Sequence, residues 1–154
     1  MDRSINKKLE ILPNKKTKQV NKLMLITEVK RKIDTDIVLH KLLNDEFQKN
    51  TKTLPKEKFV AFLGDQLSEY VAYEIYLIHH EEYRTAEKNK KILDYLHNHF
   101  INYFLTLKNT TKEELEKEWN NTITIIREEQ NKCKIEKQEG IVKEFLIERQ
   151  RDHL

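Results

Sequence analysis

Apolar residues recur along most of this chain at intervals of three and four, the spacing of one helix face, with polar residues filling the positions between. From Thr17 the set Val20, Leu23, Met24, Val29 and Ile33 follows that rule. The stretch Ile33 to Asp36 then offers an Asp/Thr restart before Ile37, Val38, Leu42, Leu43 and Phe47, so two helices or one bent helix are predicted. Ahead of them, Ser4 can cap a short helix carrying Ile5, Leu9 and Leu12, which Pro13 and Asn14 end. Residues 50–55 (NTKTLP) interrupt the pattern, with Thr53 placed to cap and Pro55 placed in a first turn.

The predicted core pair follows. Val60, Leu63, Leu67, Tyr70, Val71, Leu77 and Ile78 share a broad face over residues 55–83, and Ala86, Leu93, Leu96, Phe100, Tyr103, Phe104 and Leu107 share one over 86–108. Between them Thr85 can cap a new helix, or the chain can run on unbroken. In NTTKEE (109–114) either Thr110 with Glu113 or Thr111 with Glu114 makes a capping box for a helix over 111–137. Residues 120–126 are rich in β-branched side chains and compete as a strand, but no matching strand or turn chemistry accompanies them. Gly140 reads as a helix stop before a last short helix with Ile141, Val142, Phe145 and Leu146. The expectation is an all-α fold, an elongated bundle of about five to seven helices in which coiled-coil-like long helices are an option. It forms one continuous domain, with a basic helical region at residues 1–52 leading into a bundle core at 53–154.

Composition supports this class. Two glycines and two prolines in 154 residues are too few for a fold of hairpins, which need φ > 0 residues at their turns. One cysteine, Cys133, cannot form an internal disulfide and fits a reducing compartment. Apolar runs do not exceed five residues and the N-terminus lacks an apolar signal core, so a soluble, cytoplasmic or otherwise intracellular protein without a membrane partner is expected.

Charge divides the chain unevenly. Residues 1–33 carry ten Lys or Arg against Asp2, Glu10 and Glu28, so this end is +7 and the remainder −4, for +3 in all. The basic set Arg3, Lys7, Lys8, Lys15, Lys16, Lys18, Lys22, Lys30, Arg31 and Lys32 can neutralise phosphates or dock on an acidic protein. A plain solvated helix face has the same look.

A second candidate surface is Tyr73, Tyr76, His80 and Tyr83 on one flank of the core helix, since aromatics with polar tips suit interfaces. The same residues also suit a wide core face covered by helices on both sides. For metal, adjacent His79 and His80 cannot serve one ion from one helix face. The nearest carboxylate and histidine set is Glu74, Glu81, Asp94 and His97, which lacks the two Glu-x-x-His pairs of a di-metal bundle. A half-buried Glu74 bonded to Tyr or His is the structural alternative, and no metal or other cofactor is expected.

HEEYRT (80–85) superficially resembles the phospho-acceptor box of sensor histidine kinases. An extra residue turns Arg84 and Thr85 by about 100° relative to His80, and no nucleotide-binding segment follows. No Gly-x-Ser-x-Gly, P-loop or paired Cys-x-x-Cys occurs. The expected function is therefore non-catalytic: an intracellular regulatory or adaptor protein working by helix-mediated protein binding, with homodimers among the arrangements it allows. A nucleic-acid-binding regulator and a carboxylate/His metal-binding bundle are the alternatives.

Overall fold

A computed structural model describes residues 15–49, 54–107, 109–133 and, nearer the C-terminus, 137, 139–140, 142–144 and 146; in the first helix side chains are described from Met24 to Phe47. About 90% of the described residues are helical and none forms a strand. The long helices are α1 (Lys15–Lys49), α2 (Lys56–His79), α3 (Tyr83–Thr106) and α4 (Lys112–Asn131). α1 packs on α3, α2 on α3 and α4, and α3 on α4. The described residues thus show a bundle of four long helices, with further helical residues nearer the C-terminus, and the expected count of five to seven and its coiled-coil features are not confirmed. The short helix expected through Ile5 and Leu9 lies outside the described residues.

α1 runs through Ile33 to Asp36 without a break, so the restart read there is absent. At 35 residues it is about 52 Å long. Asp36 stays helical because its side chain is engaged elsewhere: Lys32 Nζ donates to it at 2.8 Å and Tyr70 Oη donates from α2. A short polar side chain satisfied in this way no longer competes for its own backbone. Pro55 stands at the N-cap of α2, one position before the first turn, and its carbonyl accepts from Phe59 N at 3.0 Å. Thr53 lies outside the described residues.

The α2 to α3 break falls at residues 80–82, and Glu82 rather than Thr85 takes the N-cap of α3. Glu82 N bonds Leu77 O at 2.8 Å and Glu81 N bonds Ile78 O at 3.1 Å, the paired bonds of a Schellman stop. Glu81 holds the left-handed position at φ 59°, which glycine normally fills. Glu81→Gly is therefore expected to stabilise the protein by about 0.5–1 kcal/mol, read as a higher urea midpoint, the relieved Cβ strain being partly offset by a freer unfolded chain. A lower midpoint would mean that the Glu81 side chain contributes something the strain argument omits.

α4 starts at Thr111, whose hydroxyl accepts from Glu114 N at 3.3 Å, so the second of the two capping registers is used. The β-branched stretch at 120–126 is helical throughout. Gly140 is also helical and has no positive φ, so the stop expected there does not exist. Val142 and Leu146 beyond it are buried.

α2 is the central element. Glu69 to Tyr73 are five consecutive buried residues, so this part of the helix has no wet face. Val60 and Ile78, expected in the core, are 50% and 48% exposed, while Phe59, Tyr73 and Tyr76 are inside. The apolar face is rotated from the expected one because neighbours cover α2 from more than one side. Among the described side chains of α1 the buried positions are Ile26, Val29, Ile33, Asp36 and His40, which leaves Val38 and Leu42, also expected inside, each 62% exposed.

Candidate functional site

The inward face of α1 carries polar groups into the bundle. Lys32, Asp36 and Glu69 are nine-tenths buried or close to it, with Lys32 Nζ 2.8 Å from Asp36 and 3.6 Å from Glu69. Tyr70 Oη donates to Asp36, Tyr73 Oη donates to Glu69 at 3.1 Å, and Asn89 Nδ2 donates to the Tyr70 carbonyl at 2.8 Å. His40 stands one turn beyond Asp36, and its Nδ1 lies 2.8 Å from the Asp36 carbonyl. A carbonyl only accepts, so Nδ1 carries the proton. The His40 ring edge meets the Tyr70 ring at 5.5 Å.

Past His40 the helices part around a cavity of about 370 Å³ lined by His40, Leu43, Phe47, Phe59, Phe62 and His99, among others. Leu54 and Glu46 also reach it. His99 is 7% exposed and stacks on Phe47 at 4.9 Å. Among the described residues nothing hydrogen-bonds its Nε2. Burial, and next to it the neighbouring His40, lower the His99 pKa from 6.5 to about 4, so the imidazole is neutral at pH 7.

The outer side of the same part of α1 is apolar. Val38 and Leu42 lie one turn apart, Leu39 and Leu43 lie beside them, and all four are exposed. Leu43 belongs to both the stripe and the cavity wall, and Phe62 at 44% and Leu54 at 43% extend the apolar surface across the cavity rim. Surface of this kind joined to a concave site is the usual mark of a binding face.

The basic set is less free than its sequence implies. Lys32 is turned inward onto Asp36 and Glu69. Lys30 pairs with Glu82 at 2.8 Å, while Arg31 is exposed. Lys15, Lys16, Lys18 and Lys22 fall within α1, and Arg3, Lys7 and Lys8 lie outside the described residues.

The tyrosine flank divides in two. Tyr73 and Tyr76 are completely buried by this chain's own helices, so they offer nothing to a partner, whereas Tyr83 is 60% exposed. No hydrogen-bond partner meets the Tyr76 hydroxyl among the described residues. Burial and then the charge of Glu139 push its pKa upward. His80 sits against Tyr76 and 3.3 Å from Glu139, while His79 is solvent-exposed. The histidine pair thus has one member tied to the C-terminal segment and one in water.

Glu74, Glu81, Asp94 and His97 are not brought together. Glu74 is held by Arg127 of α4 through two bonds, at 3.1 and 3.3 Å, and not by the Tyr or His foreseen. Such a two-pronged pair is the geometry guanidinium favours. His97 stacks on Trp119 and meets Glu116 at 2.8 Å, while Glu81 and Asp94 are exposed. Among the described residues no group of three His, Cys, Asp or Glu could hold a metal ion. Cys133 is half-buried, its Sγ 3.8 Å from the Glu129 carbonyl.

Comparison with protein-family models, with curated proteins and with solved structures finds no match.

Proposed function

We propose that this chain is a non-catalytic regulatory or adaptor protein whose working surface is the outer face of α1. What carries the reading is the two-turn apolar stripe of Val38, Leu39, Leu42 and Leu43, left exposed where a helix of this bundle could have turned polar residues outward. The partner that suits it is an amphipathic helix of another protein, laying its own apolar stripe along the face and over the rim formed by Leu54 and Phe62. No helix among the described residues is long and apolar enough to cross a membrane, so the stripe is not accounted for as part of a span.

The test compares tagged wild type with the Val38→Lys/Leu42→Lys variant, both purified from the native host. The wild type is expected to retain a stoichiometric companion that the variant loses, with both giving the same helical circular dichroism. Identical companions on both proteins would reject the stripe. A second copy of the chain as companion would make the partner a homodimer mate.

The basic excess of residues 1–33 supports a second reading, contact with nucleic acid or an acidic protein. Nucleic-acid affinity resting on it should fall steeply with salt. Changing Lys15, Lys16, Lys18 and Lys22 to Gln should flatten the slope of log K against log salt by up to about 4. An unchanged slope in the quadruple variant would exclude these lysines as phosphate contacts.

A further inference from the structure

The cavity between α1, α2 and α3 has a composition that the α1 stripe does not explain. Its apolar wall is three phenylalanines, Phe47, Phe59 and Phe62, with three leucines, Leu43, Leu54 and Leu96, and at about 370 Å³ it is roughly two and a half times the size of an engineered apolar cavity that takes benzene. Within this lining stands His99, nine-tenths buried, with Nε2 bonded to nothing among the described residues. Buried polar atoms are ordinarily satisfied, and one without a partner beside a cavity marks where a ligand atom can bond.

We propose that this cavity binds an uncharged aromatic molecule of about two fused rings bearing one hydroxyl, with the rings among the phenylalanines and the hydroxyl on His99 Nε2. A hydroxyl fits either tautomer of the ring, because it both donates and accepts. Charge is disfavoured on both sides. A neutral imidazole offers an anion no counter-charge, and among the described residues Glu46 is the one carboxylate of the lining. A cation seated at His99 would lose its water without gaining an acceptor of opposite charge, since Glu46 is exposed. The cavity shares Leu43, Leu54 and Phe62 with the proposed partner face, but its ligand enters between the helices and binding to the isolated chain tests it without the partner.

Binding of 2-naphthol, naphthalene, naphthalene-2-sulfonate and 1-(aminomethyl)naphthalene to the full chain, measured by calorimetry, tests the assignment. 2-Naphthol is expected to bind about tenfold more tightly than naphthalene, and the two charged probes more weakly than either. In His99→Phe, which keeps the ring stack and removes the polar atom, the naphthol advantage should fall to within about twofold, while naphthalene still binds. Leu43→Trp, at a half-exposed position on the wall, should abolish binding of both neutral probes without altering the helical spectrum. Equal binding of naphthol and naphthalene by wild type, an advantage that survives His99→Phe, tighter binding of a charged probe, or no binding at all would each overturn the proposal.

Discussion

Lys32→Met is expected to destabilise the protein by about 3–5 kcal/mol in urea denaturation, the largest effect of any exposed-looking lysine in the sequence. Read from the sequence, Lys32 belongs to a basic surface run, and removing such a lysine would cost well under about 1 kcal/mol. In the fold its ammonium lies 2.8 Å from Asp36 and 3.6 Å from Glu69, both buried. Taking away the cation leaves Asp36 desolvated with the Tyr70 hydroxyl as its remaining side-chain partner among the described residues. Lys32→Met/Asp36→Leu removes the stranded charge as well and should recover a good part of the loss. A single variant as stable as wild type would mean that water reaches the network.

Acid should weaken the fold through His99. Its pKa is about 4 in the folded protein against 6.5 for a free histidine, so the unfolded chain takes up the proton first as pH falls. This contribution is therefore complete above pH 6.5, declines between 6.5 and 4, and is spent below that, for a total of up to about 3 kcal/mol. Burial is the larger cause and His40 of α1 the second, while Glu46 is the acid on the same cavity wall. Because carboxylates elsewhere titrate in an overlapping range, the informative quantity is the difference between wild type and His99→Phe. The variant's stability should depend less on pH across 4 to 6.5. Parallel curves would show that His99 is solvated in the folded state.

The helical class was legible because the 3–4 spacing of apolar residues is strong in the 56–79 and 83–106 regions and turn residues are scarce. The break between those helices was legible only to within a few residues, read after Tyr83 with Thr85 as a candidate cap and found at residues 80–82. It is made by Glu81 in a conformation usually assigned to glycine, so no residue type announces it. Gly140 misled in the opposite direction, because a glycine permits a stop without requiring one.

On α1 hydrophobicity alone does not mark the inward face. Ile26, Val29, Ile33, Asp36, His40 and Phe47 keep a steady spacing of three, four and seven, and all but the half-buried Phe47 are buried. Admitting Asp36 and His40 to that series would have turned Val38 and Leu42 outward. What sequence could not supply were the partners that make those polar positions tolerable. Tyr70 lies 34 residues from Asp36, and Arg127 lies 53 residues from Glu74. Such pairings depend on how the helices pack, to which local periodicity is blind.

Binding through α1 requires that its apolar stripe face outward in the isolated protein. Thiol labelling of Leu42→Cys in a Cys133→Ser background measures this directly. The new thiol should react with a maleimide about as fast in buffer as in denaturant, and slow when the companion isolated with the wild-type protein is added back. A thiol protected in the isolated chain, and released only by denaturant, would place Leu42 inside the fold and leave the proposed binding face without its central residue.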